Sequence, residues 1–273
     1  MGQEKNQLMP ASFAENSLKE LNRLFLETPE VYIEDQARKE LLPLPAGQTI
    51  LLDASIQDEG IWEQSINYDY IYRIGFEVED APGLNVYFRE FDLRKGDKLY
   101  VYNGDQSQVL GPFNLSKNAE QFAIGFLRGS ELIIELNTDR KYQELPFVIA
   151  EVGVASFPPL EVSRDYGDAG SCEVLVNCAE GENWQFEKDG VARVLVKEGS
   201  KLFWCTGTLV NNTRNDGTPY FLTANHCGKN ATSYDYGGWV FYFNYEVEGC
   251  EKPLFEPDSD NNLIGAQLKA HSW

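Results

Sequence analysis

Between Ile50 and Ser156 apolar and polar residues alternate with a period of two, and that pattern commits this part of the chain to β-structure. In IYRIGFEVE, Ile71 to Glu79, the residues Tyr72, Ile74, Phe76 and Val78 fall on one face of an extended strand. LNVYF, KLYVYNGD, QFAIGF, SELIIEL and FVIAEVGV repeat it, separated by turn signals at Ala81-Pro82-Gly83, Asn103-Gly104-Asp105 and Arg128-Gly129-Ser130. Many short strands at regular spacing predict a β-sandwich or jelly-roll-like domain. Ahead of it, Phe13, Leu18, Leu21 and Phe25 recur at roughly helical spacing from Ser12 to Glu27, with Pro29 closing the segment, which predicts a short amphipathic helix.

The cysteines divide the chain. All five, Cys172, Cys178, Cys205, Cys227 and Cys250, follow residue 171, so a cysteine-free unit precedes a cysteine-bearing one. Between them, Phe157-Pro158-Pro159 through Asp168-Ala169-Gly170 offers prolines, glycines and charges without periodicity. The expected organisation is therefore a first domain over 1–157, a linker over 158–170 and a second domain over 171–273. The second is again strand-rich, in VARVLV, LFWCTGTLV, PYFLTA and GGWVFYFNYEV, so the whole chain reads as all-β. No pair of cysteines has the close Cys-x-x-Cys spacing of a structural zinc site, so neither metal nor cofactor is expected. Disulfides, and with them an oxidising compartment, are the better reading, although an odd count leaves at least one thiol without a partner in the chain.

A net charge of -20 and a sequence pI near 4.5 repel phosphate backbones and anionic lipid, which argues against nucleic acid and membrane surfaces as partners. No apolar run is long enough for a membrane-spanning helix, and MGQEKNQLMPASF lacks a basic-then-apolar signal pattern. With disulfides, the expectation is a secreted or periplasmic protein whose signal peptide is not in this sequence.

The chemistry concentrates in CTGTLVNNTRNDGTPYFLTANHC, Cys205 to Cys227. An apolar run, Tyr220 to Thr223, leads into Ala224-Asn225-His226-Cys227, and a second cysteine lies on the preceding strand in Cys205-Thr206-Gly207-Thr208-Leu209-Val210. This resembles the histidine loop of trypsin-like, chymotrypsin-fold serine proteases. Gly207 to Thr213, Asn215-Asp216-Gly217, Tyr220 to Thr223, and the start Gly170-Ser171-Cys172 followed by Cys178 are similar to the secreted bacterial lysyl endopeptidase group.

The resemblance implies that His226 is the general base of a serine endopeptidase acting on protein or peptide substrates. It implies the first β-barrel of that fold after the linker, and a pro-region in residues 1–157 that partners the protease intramolecularly. It also implies bonds Cys205 to Cys227 and Cys178 to Cys250, with Cys172 unpaired. Placing a base at a strand end and closing its loop covalently fixes it within reach of a nucleophile. In the chain-entropy model such a closure is worth on the order of 3 kcal/mol.

The remaining chemistry-bearing residues have plainer readings. His271 stands two residues from the end and reads as an exposed tail residue; Trp239, Phe241, Phe243 and Tyr245 read as alternating barrel core; Glu34, Asp35 and Glu256 read as solvated loop charges. A trypsin-like triad runs in the order His, Asp, Ser, with the serine in a Gly-rich turn. Neither Ser259 nor Ser272 has that context, and Asp258 and Asp260 precede the position of the group's acid, so the expectation is a chain cut before its acid and nucleophile and inactive alone. The alternative is a complete, non-catalytic two-domain binding or decoy module. Lysine preference follows only from the resemblance.

Overall fold

The computed structural model describes residues 9–15, 20–29, 43–65, 68–114, 119–157, 173–251 and 262–271. The structure is dominated by β-strands, as the alternation predicts, and by chain contacts it divides into two compact units. One comprises Met1–Glu30 with Thr49–Ala155, the other Val31–Gln48 with Ser156–Trp273.

The strands of the first unit are β1 (Arg23–Leu26), the end of β2 (Leu44–Leu51), β3 (Ile61–Glu63), β4 (Tyr70–Val78), β5 (Gly83–Phe91), β6 (Lys98–Asn103), β7 (Val109–Phe113), β8 (Ala119–Ala123), β9 (Leu127–Arg128), β10 (Glu131–Thr138) and β11 (Val148–Ala155). One sheet has the order β1-β4-β10-β6-β7, with β3 on β4. In the other, β5 pairs antiparallel with β11, β8 and β9. The inner face of the second sheet carries Phe88, Phe91, Phe122 and Phe147 in mutual ring contact, and Phe113 of the first sheet meets Phe122 edge-on at 4.9 Å. This phenylalanine cluster joins the two sheets in the core of the sandwich.

The first sheet is covered on its outer side as well, which is why Ile71 through Phe76 are buried without interruption. Phe13 stands edge-on to Tyr102 at 5.0 Å, and with Leu21 it packs on Tyr100, Tyr102 and Ile133. The expected helix over Ser12 to Glu27 does not form. Its place is taken by a single 3-10 turn, Ala11–Ala14, and by β1, which pairs parallel with β4 from Arg23↔Gly75 to Leu26↔Val78. An edge of β4 offers this segment a ladder of backbone hydrogen bonds as well as an apolar face, and tertiary pairing overrides the weak helical spacing. Phe25, an assumed core position, is 77% exposed, and Leu18 lies outside the described residues.

The second unit holds β12 (Val191–Glu198), β13 (Lys201–Val210), β14 (Tyr220–Thr223), β15 (Val240–Phe243) and β16 (Asn262–Ile264), together with the short helices α1 (Gln185–Lys188) and α2 (Ser233–Gly237). All neighbouring pairs are antiparallel: β16-β15, β15-β12, β12-β13, and β13 with both β14 and β2. β13 is the organising strand. One edge runs the length of β12, whereas the other pairs first with β2, Lys201↔Gln48 to Trp204↔Leu44, and then with β14, Gly207↔Thr223 to Val210↔Tyr220. The core gathers Ala192, Val194, Val196, Cys205, Cys227, Tyr236, Trp239 and Phe241, with Phe203, Phe221 and Phe243 packed against it. Trp239, Phe241 and Phe243 thus serve as core on one face of β15, as their alternation predicts.

Candidate active site

The site grows from the junction of β13 and β14. Gly207 lets the two strands close, because a Cβ there would lie 2.3 Å from the Phe221 ring and 2.5 Å from the Leu222 carbonyl oxygen. Across the same junction the Thr223 hydroxyl donates to the Thr206 carbonyl at 2.8 Å. The chain then turns through Asn225–Cys227 as one 3-10 turn, closed by the Cys227 N–H donating to the Ala224 carbonyl at 3.0 Å. Cys227 points inward, 2% exposed, and is bonded to Cys205 with the Cα atoms 6.1 Å apart. His226, the residue before it, therefore points outward and is exposed.

The turn has support behind it. The Tyr236 hydroxyl donates to the Gly228 carbonyl at 2.9 Å, and the Trp239 indole N–H donates to the Lys197 carbonyl at 3.2 Å. Asp235, 3% exposed, accepts from the Thr232 backbone and hydroxyl at 2.8 Å each and faces the Lys197 ammonium at 3.5 Å, so α2 is clamped under the turn. A buried pair so fully hydrogen-bonded holds geometry more than it adds stability. The result is an imidazole in solvent on a turn that packing, a disulfide and hydrogen bonds fix in place. Among the described residues that imidazole has no hydrogen-bond or ion-pair partner, so both ring nitrogens are available to incoming groups.

A ring nitrogen of His226 and the sulfurs of Cys205 and Cys227 all lie within 4.8 Å of one another. While the two sulfurs are bonded to each other they carry no thiolate, and the group cannot hold a metal. The second disulfide, Cys178–Cys250 with Cα atoms 4.7 Å apart, bridges 72 positions of this unit, and near it Lys188 donates to the Asn177 side-chain oxygen at 2.9 Å and pairs with Glu246 at 2.5 Å.

A cavity of about 500 Å³ opens beside these groups, lined by Leu44, Arg193, Trp204, Thr206, Tyr245 and Glu246 among others. The Arg193 guanidinium lies 3.6 Å over the Trp204 ring and 4.6 Å from that of Tyr245, to whose hydroxyl it donates. The sequence does not reveal this feature: alternation places Tyr245 in the core, whereas it is half-buried and lines the cavity. The signal was faint: Arg193 interrupts the apolar run Val191 to Val196, and it reaches Trp204 across the ladder, diagonally, because Leu195 stands opposite Trp204.

Of the other residues singled out in the sequence, His271 is exposed. Cys172, Asp258, Asp260, Ser259, Ser272, Glu256, Glu34, Asp35 and Arg164 lie outside the described residues. No helix among the described residues is long and apolar enough to cross a membrane. Residues 166–272, about two fifths of the chain, match the family model described as lysyl endopeptidase, C-terminal domain.

Proposed function

We propose that this chain is part of a secreted serine endopeptidase precursor in which His226 is the general base. The observation that supports it is the placement of that imidazole, exposed and unpartnered on a rigid turn at a strand end, within a region that matches a peptidase family. A base in such a mechanism takes the proton of a serine hydroxyl, an acid holds its tautomer, and backbone N–H groups stabilise the tetrahedral oxyanion. Among the described residues no acid or serine is hydrogen-bonded or ion-paired to His226, and in this reading both are supplied from elsewhere.

In the same reading the first unit is the pro-region, the natural substrates are proteins cut after lysine, and the cut that matures the enzyme falls after Arg164. The test is to express the coding sequence continued past Trp273 beside the 273-residue chain and assay both on lysine-containing peptides. The longer protein should cleave them and lose on the order of 10⁴-fold in rate with His226→Ala, while the shorter chain is inert. A longer protein that stays inert after its linker is cut would favour a binding module instead.

A further inference from the structure

We propose that the cavity of the second unit is a binding site for a carboxylate carried on an apolar body, either a free aryl-substituted acid or the C-terminus of a peptide that ends in an apolar residue. All its lining residues belong to that one unit, and its volume is about 500 Å³. Small-molecule sites span about 300–1,000 Å³. Of the lining, Val191, Thr206 and Asn244 are exposed, so a solute reaches it from solvent.

The charge of the lining selects the ligand. It holds two cations, Lys188 and Arg193, against one carboxylate, Glu246, on a chain whose net charge is -20. An excess of positive charge at that one place attracts an anion. Glu246, paired with Lys188, repels a second negative charge, so a monoanion fits better than a phosphate ester. The apolar body meets Leu44, Val176, Val191 and the Trp204 ring.

Both cations are held in place before any ligand arrives. The Arg193 guanidinium is stacked on the Trp204 ring and donates to the Tyr245 hydroxyl. Stacking engages the face of that group, whereas its N–H donors point outward in its plane, the direction from which a carboxylate accepts them in pairs. Lys188 is fixed by its bonds to the Asn177 side-chain oxygen and to Glu246. A carboxylate that binds here does not have to freeze either long side chain, which lowers the entropic cost of association. The site does not depend on His226 being a base, and its failure and the failure of the peptidase reading are separable.

Titration calorimetry of the whole chain tests it with two pairs of probes: phenylacetate against phenylacetamide, and an acetylated glycyl-phenylalanine with a free against an amidated C-terminus. At least one acid should bind with one-to-one stoichiometry, and its amide about tenfold or more weakly, because hydrogen bonds to charged groups are the strong ones. The tighter of the two acids names the source, a free acid or a chain terminus. Arg193→Gln and Lys188→Gln should each weaken the acid by a similar factor while far-ultraviolet circular dichroism keeps the parent strand signal. Where a variant does not fold, the comparison of acid with amide on the natural chain decides. No binding of either acid, amides that bind as tightly as the acids, or unchanged affinity in both folded variants overturns the proposal.

Discussion

Ser12 and Glu135 are 123 positions apart in the chain and meet inside the first unit, where the Ser12 backbone N–H donates to the Glu135 carboxylate at 3.1 Å. The Ser12 and Tyr102 hydroxyls and the Asn137 side-chain amide donate to the same carboxylate, and Glu135 is fully buried at mid-strand. This cluster fastens the Ala11–Ala14 turn to the sheet. Glu135→Ala leaves buried donors without an acceptor and should destabilise the unit by about 3 kcal/mol or more, read from urea denaturation. A loss no larger than that of an average surface substitution would mean that the N-terminal turn is not held this way.

Alkali should attack the same unit. Burial pushes the phenols of Tyr72, Tyr100, Tyr102 and Tyr142 well above the usual tyrosine range, with Asp58, Glu135 and Asp97 adding to the effect on Tyr72, Tyr102 and Tyr142 respectively. The unfolded chain releases those protons near pH 10, whereas the folded chain keeps them, so the unfolded state binds fewer protons and stability falls as pH rises past about 10. Tyrosinate absorbance and far-ultraviolet circular dichroism should change together in one alkaline transition. Phenolate appearing well before loss of strand signal would contradict the burial argument.

Gly207→Ala tests the strand junction that presents the histidine. The added methyl meets the Phe221 ring and the Leu222 carbonyl at separations no real Cβ tolerates, so β13 and β14 must spread. Overpacking of this kind costs about 1–3 kcal/mol. A thermal transition unchanged from the parent would show that β14 is not held against β13 as described.

How much of this was legible in the sequence depends on whether local pattern or distant pairing decides a segment. The alternation from Ile50 to Ser156 predicted strands because successive side chains point to opposite faces of a sheet, and that held although both faces of β4, β10 and β11 are buried. Thr223 to Cys227 was legible as a strand ending in a turn, since an apolar run stops abruptly at polar residues. Phe13, Leu21 and Phe25 misled because their spacing fits a helix, while the edge of β4, more than forty residues on, is what pairs with that segment. The Arg193 stack was not legible either: it depends on the register between β12 and β13 and on Tyr245 arriving from beyond β15.

Residues 44–48 were another such case, and they carry the last prediction. Although they precede the linker, they form a strand of the second unit, with Lys201↔Gln48, Leu202↔Gly47, Phe203↔Pro45 and Trp204↔Leu44 in register, and the Ser156 N–H donates to the Ala46 carbonyl at 2.8 Å. Cutting the chain between residues 158 and 170 therefore does not remove that strand from β13. Under native conditions the two fragments should elute together from a sizing column and part only in denaturant. A second unit expressed from residue 171 would present the Lys201–Trp204 edge unpaired, a template for strand addition by another chain, and should aggregate more readily than the cut full-length protein. If the fragments separate freely after the cut, the β2–β13 ladder contributes too little to hold them, and a pro-region in residues 1–157 would leave by simple dissociation.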